Sequence, residues 1–212
     1  MAADSNETQK KLMGKLILVR HGESEANRQK IFAEDDSPLT EKGREQAREV
    51  AEKIAERFQL AAAVASALPR AAETARIVAA RLGVPLEIVP DLHERDFGSL
   101  KGKSYVDFSK WIRNDSTYDA ARPWLWTPQG GESMEDAKAR VVGALEKLRR
   151  RHPEDEVLVV CHGVVMQVMW AFLTGTWEGA EIPENCGVVQ VEHTEQGFGM
   201  PLLLEDCSVT RE

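Results

Sequence analysis

Apolar runs alternate with amphipathic stretches along the chain. Leu16-Ile17-Leu18-Val19 is apolar without alternation, as expected of a strand buried on both faces. Over residues 41–58, Ala47, Val50, Ala51, Ile54, Ala55 and Phe58 recur at helical spacing, with Thr40 placed to cap the start. A short strand at about 61–65 follows. A helix from about 70 to 82 then buries Ala71, Ala75, Val78 and Leu82 and stops at Gly83. Leu86-Glu87-Ile88-Val89 reads as a strand ended by Pro90, and 133–151 as a helix opened by a Ser133/Asp136 capping box. Val157–Val160 is the most apolar strand, and the helix after it, Val164–Leu173, is apolar nearly all round and so belongs near the centre. Residues 187–192 and 201–204 complete the strands. This order predicts an α/β fold with three αβα layers and a mostly parallel sheet.

One segment breaks the rhythm. Phe97, Tyr105, Phe108, Trp111, Tyr118, Trp124 and Trp126 are seven of the 13 aromatic residues, without a regular sheet pattern. Residues 97–131 read as a small cap inserted over one end of the sheet, either a satellite core or the roof of a pocket; the two are compatible. The expected organisation is a single domain over 15–206 containing this cap, between polar tails at 1–14 and 207–212.

Composition narrows the function. With 212 residues, 42% hydrophobic and 29% charged, the chain supports a core without covalent staples. A net charge of −8 disfavours nucleic acid and anionic membranes as partners. No apolar run approaches the ~18 residues of a membrane span. Cys161, Cys186 and Cys207 form no disulfide framework and no zinc spacing, and no signal-peptide pattern opens the chain, so a cytoplasmic setting is expected. The charge also runs against an anionic substrate, yet residues 99–126 carry Lys101, Lys103, Lys110, Arg113 and Arg122 against three carboxylates, a local +2.

The candidate chemistry lies in an internal echo. LILVRHGE at 16–23 and VLVVCHGV at 157–164 are apolar strands that each end in His-Gly and open into a helix. In a parallel sheet, ligands bind at the carboxyl ends of strands, so His21 and His162 share one floor. Gly22 and Gly163 would let the backbone approach a ligand, and each helix start would offer N–H groups to an anion. Arg20 precedes His21, and Arg70 sits at the first turn after the second strand; arginine forks suit phosphate oxygens. The cation beside it favours His21 over His162 as a neutral nucleophile. Glu94 follows the third strand as a proton donor, with Asp91 and Asp96 as rivals. Glu132 is a second candidate, or a residue that orients an arginine or histidine.

Together, LVRHGESEAN (18–27), DDSPLTEKGREQA (35–47), SALPRAAETA (66–75), LHERDFGSLKG (92–102), GGES (130–133) and VLVVCHG (157–163) resemble the histidine phosphatase superfamily, also called the phosphoglycerate mutase-like family. The resemblance spans roughly 15–175. It implies His21 as the nucleophile that forms a phosphohistidine, and Arg20, Arg70 and His162 as holders of the phosphoryl group. It implies Glu94 as acid then base, Asn27 as a rim contact to phosphate, and neither metal nor cofactor. The family's mutases carry a longer insert with an adjacent arginine pair. Here Lys110 and Arg113 are not adjacent and the insert is shorter, which favours a phosphatase acting on a small phosphomonoester such as a sugar phosphate. A phosphoglycerate mutase-type phosphotransferase is the alternative, and a homo-oligomer stays open.

Three rivals are weaker. A serine hydrolase would use Ser24 in Gly22-Glu23-Ser24-Glu25-Ala26, which lacks the final glycine of a nucleophile elbow. A cysteine phosphatase would need an arginine six residues after Cys161, where Gln167 stands. A non-catalytic phosphate-binding adaptor would need a broken site, and the five expected positions are intact.

Overall fold

The computed structural model describes residues 13–113, 115–180 and 182–207. The elements run β1 (Gly14–Arg20), α1 (Glu25–Gln29), α2 (Glu41–Arg57), β2 (Leu60–Ala65), α3 (Pro69–Leu82), β3 (Leu86–Ile88) and α4 (Phe108–Ile112). Then come α5 (Met134–Arg151), β4 (Glu156–Cys161), α6 (Gly163–Thr174), β5 (Val188–Thr194), β6 (Gly197–Phe198) and β7 (Leu202–Leu203). The sheet order is β3-β2-β4-β1-β5-β6, with β7 also paired to β5. The block β3-β2-β4-β1 is parallel, as the non-alternating strands predict; beyond β1 the pairing is antiparallel.

Burial on both faces explains the apolar runs. Ile17, Val19, Leu158 and Val160 face the layer of α2 and α3, while Leu16, Leu18, Val157 and Val159 face α5 and α6. Each such side chain contributes roughly 1.5–3 kcal/mol on burial. Local chemistry sets the helix starts. Thr40 Oγ1 accepts from the Gly43 N–H, and Ser133 and Asp136 close the expected capping box. Gly83 ends α3 at φ 69°, a left-handed conformation that glycine adopts without steric cost.

The helix expected after the first His-Gly end is α1, only five residues long, and two short elements escaped the hydrophobic pattern: α4 and β6. Each spans five residues or fewer, too short to show a period. At the ends, β1 begins at Gly14, inside the expected tail, and Cys207 is buried against α2 rather than opening a tail. The rest of the two tail expectations, 1–12 and 208–212, lies outside the described residues. No described helix is long and apolar enough to cross a membrane.

The register positions the site. β1 and β4 pair in parallel with Arg20 opposite Cys161, so their His-Gly ends emerge level. The His21 N–H donates to Cys161 O (3.0 Å) and the Ser66 N–H to Val160 O (3.1 Å), which carries the strand ends of β1, β4 and β2 to one edge.

Candidate active site

His21 and His162 lie side by side at that edge, ring centroids 5.1 Å apart and tilted 60°. Both are buried. The His21 Nδ1 lies 2.7 Å from Gly22 O, a carbonyl that can only accept, so Nδ1 carries the proton and the lone pair sits on Nε2. Burial first, then the Arg70 and Arg20 guanidiniums, hold the His21 imidazole well below its ordinary pKa and keep it neutral. His162 is also held well below, again by burial first and Arg70 second. The expectation that Arg20 singles out His21 therefore needs correction, because low proton affinity is common to both. Hydrogen bonding separates them. His162 Nε2 is paired with Ser66 Oγ (2.8 Å), and its Nδ1 is buried with no partner among the described residues.

The arginines approach from opposite elements. Arg20 ends β1, and its Nη1 donates to Pro183 O (2.8 Å) while its Nε is buried without a partner among the described residues. Arg70 stands on the first turn of α3, 2% exposed, and its Nη1 donates to Glu34 O (3.3 Å). Burial lowers both guanidiniums, and the carboxylate of Glu94 opposes that shift most strongly in each. Conversely, burial raises the Glu94 carboxyl, against the pull of Arg70, the Arg95 N–H, Arg20 and the Val164 N–H. The Arg95 N–H donates to Glu94 Oε1 (2.9 Å). Glu94 thus keeps its proton to a higher pH than an exposed glutamic acid, as a donor must.

Its rivals stand elsewhere. Asp91 is exposed and 3.6 Å from Lys147. The Gly98 N–H and Lys101 hold the Asp96 carboxyl below the usual range, so it is ionised. Glu132 grips Arg140 through both oxygens (2.7 and 2.8 Å), and Arg140 donates to the carbonyls of Asp91, His93 and Glu94. Glu132 is therefore a positioning residue that fastens the Glu94 loop to α5, the second of its two expected roles.

Asn27 closes the capping box of α1. Its Oδ1 accepts from the Ser24 N–H (3.1 Å), Ser24 Oγ (3.0 Å) and Asn185 Nδ2 (3.1 Å), so the carbonyl faces protein and the NH₂ end remains for a ligand. Ser24 is itself fully buried as that cap, which removes the serine hydrolase reading. Burial pushes the Cys161 thiol up to about 12, which removes it as a thiolate nucleophile. Gly163 lines the cavity, but Gly22 does not. The Gly22 N–H donates to Thr74 Oγ1 (3.1 Å), and a Cβ there would lie 2.3 Å from Gly43 O. Gly22 thus serves close packing onto α2 rather than ligand binding.

Arg20, His21, Asn27, Arg70, Glu94 and Gly163 border one cavity of about 530 Å³, walled by Phe32, Phe97, Tyr105 and Phe108. The insert is both things expected of it. Phe97, Tyr105 and Phe108 face the cavity, while Tyr118 and Trp126 pack behind Phe108 at 6.4 and 5.8 Å. Its five cations do not border the cavity. Lys101 pairs with Asp35 and Asp96, Lys110 with Asp107, Arg122 with Asp119, and Lys103 lies over Trp111.

Sequence reasoning missed Ser66, Arg95, Arg140 and Asn185. Ser66 lies one residue beyond β2, at the same edge that carries His21 and His162. Arg140 lies eight residues after Glu132, two turns on. Asn185, which donates to His21 O (2.9 Å) and Asn27 Oδ1, comes from a loop with no periodic signal.

An α/β sheet edge that joins two buried histidines, a buried arginine, a half-buried arginine and a half-buried carboxyl is the architecture of a phosphoryl-handling protein. A family model for the histidine phosphatase superfamily (branch 1) matches residues 16–205, and the chain belongs to that family. It is 39% identical over 155 residues to a 2,3-bisphosphoglycerate-dependent phosphoglycerate mutase of Parvibaculum lavamentivorans, covering 70% of this chain and 74% of that protein. A metal-independent phosphoserine phosphatase of Arabidopsis thaliana is 34% identical over 162 residues, covering 75% and 68%. Among solved structures, a mycobacterial glucosyl-3-phosphoglycerate phosphatase superposes with a TM-score of 0.75 at 26% identity, covering 90% of this chain and 97% of that one.

Proposed function

We propose that the protein is a phosphomonoester phosphatase that works through a phosphohistidine on His21. The observation that carries the reading is geometric: a His21 whose Nδ1 is held by Gly22 O, leaving the Nε2 lone pair, borders one cavity with Arg20, Arg70 and Glu94, whose carboxyl burial holds above its ordinary range. Nε2 attacks phosphorus, the ester P–O bond breaks, and Glu94 passes its proton to the departing alkoxide. The same carboxylate then takes a proton from water, the hydroxide attacks phosphorus, the N–P bond breaks and phosphate leaves. Arg20, Arg70 and the His162 ring stabilise the charge on the phosphoryl oxygens in both steps.

Similarity to the Parvibaculum mutase favours a second reading, transfer to another phosphoester. Such an acceptor needs a second anion site, and neither Lys110 nor Arg113 borders the cavity. Release of inorganic phosphate, measured with and without a phosphoester acceptor, tests the proposal. Stoichiometric release in both conditions is expected; label recovered mainly on the acceptor would make the protein a mutase.

A further inference from the structure

The cavity is chemically two-sided. Among the described residues, the charged side chains that border it are Arg20, Arg70, Arg95 and Glu94. Arg20 and Arg70 are the phosphoryl clamp. Arg95 is fastened to its own scaffold: Nε donates to Glu132 O (2.7 Å) and Nη2 to Trp126 O (3.0 Å). The Phe97 and Trp126 rings flank its guanidinium at 5.9 and 5.8 Å. The remaining lining includes Ile31, Phe32, Tyr105, Phe108, Val164 and Ile182, with Gln167 as an uncharged amide. The ring wall is preassembled, since Phe32 packs on Phe97 at 4.6 Å and on Tyr105 and Phe108 at 6.1 Å each. At about 530 Å³ the space far exceeds what a phosphoryl group fills.

A carboxylate or second phosphate placed against this wall would lose its water and meet, among the described residues, no cation dedicated to it, which is strongly unfavourable. An apolar group would lose water favourably there, each buried methylene being worth roughly fourfold in binding. We infer that the alcohol half of the substrate is uncharged and largely apolar, about the size of a phenylalkyl group, and that esters bearing a carboxylate are selected against. This inference rests on the phosphatase reading.

The test compares kcat/KM for 2-phenylethyl phosphate, ethyl phosphate, O-phosphoserine and 3-phosphoglycerate. All are primary alkyl esters, so none gains from an activated leaving group. The phenylethyl ester is expected to exceed each of the others by about tenfold or more. Tyr105→Ala removes an exposed part of the wall that the fold tolerates losing. It should lower the phenylethyl value about three- to tenfold and change ethyl phosphate by less than about twofold. Ile31→Lys, which adds a cation to the wall, should raise 3-phosphoglycerate relative to the phenylethyl ester. Preference of the unaltered protein for either carboxylate ester, or equal loss on all four esters in Tyr105→Ala, would overturn the inference while the phosphatase reading stands. No turnover of any ester, with no phosphoenzyme, would instead overturn the phosphatase reading and this inference with it.

Discussion

The two His-Gly strand ends are nearly the same in sequence and different in use. At the end of β1, the His21 ring is pinned by the carbonyl that follows it, so its far nitrogen is free to react. At the end of β4, the His162 ring is pinned by Ser66 from the neighbouring strand end, and its buried Nδ1 has no partner among the described residues. The residues in front differ likewise: Arg20 is a cation that borders the cavity, while its register partner Cys161 is a buried core thiol. The glycines behind differ too, since Gly22 packs on α2 and Gly163 opens α6 beneath the cavity. A repeated strand end therefore places a histidine without assigning its role. The hydrogen-bond partner of each ring is what distinguishes the two.

Substitutions can break this contrast, and the largest effect falls on the nucleophile. His21→Ala should lower kcat/KM by at least about 10⁴-fold, measured on any accepted ester. Glu94→Gln should cost about 10²–10⁴-fold on alkyl esters and much less on activated aryl phosphates, which need no proton. Equal loss on both would show that Glu94 is not the acid. The raised Glu94 and lowered His21 pKa values also give the sign of the pH profile. Glu94 must be protonated and His21 neutral, so kcat/KM should fall with rising pH as Glu94 ionises, and its acid limb should lie below the ordinary histidine range.

Loss of the second histidine should be milder. His162→Ala should cost about 10²–10³-fold yet still allow a phosphoenzyme to form, because it removes a donor rather than the attacking atom. Ser66→Ala should cost roughly tenfold or less, by releasing the ring orientation. A Ser66 effect as large as that of His162→Ala would mean the serine itself contacts the phosphoryl group. The smallest activity effects concern the glycines. Gly22→Ala should destabilise folding by about 1–3 kcal/mol in denaturant titrations, since its Cβ meets the Gly43 backbone. Gly163→Ala should be better tolerated by the fold, because its Cβ meets side chains (Ile182 Cγ2 at 3.0 Å and Arg20 Nε at 3.8 Å) rather than backbone, and should act on KM.

Much of the site is legible in sequence because a parallel sheet converts strand ends into spatial neighbours. Apolar runs located β1 and β4, and the residue just past each run was bound to reach one edge. Arg70 and Glu94 followed from the same rule applied to β2 and β3. What escaped depends on side-chain direction or on irregular chain. Ser66 matters through one hydroxyl, Arg140 through a guanidinium crossing to another loop, and Asn185 through a turn without periodicity. Net charge was the poorest guide. The insert's local +2 consists of cations held by nearby carboxylates or an aromatic ring at four of its five positions, while Arg20 and Arg70, which border the cavity, lie outside it.

The most direct test traps the intermediate. The protein is mixed with a ³²P-labelled ester, quenched in alkali, digested, and the labelled peptide sequenced. A base-stable, acid-labile label on the peptide containing His21, retained in His162→Ala and absent in His21→Ala, is the predicted result. Label on the peptide containing His162, or turnover and label that persist in His21→Ala, would contradict the assignment of the two histidines.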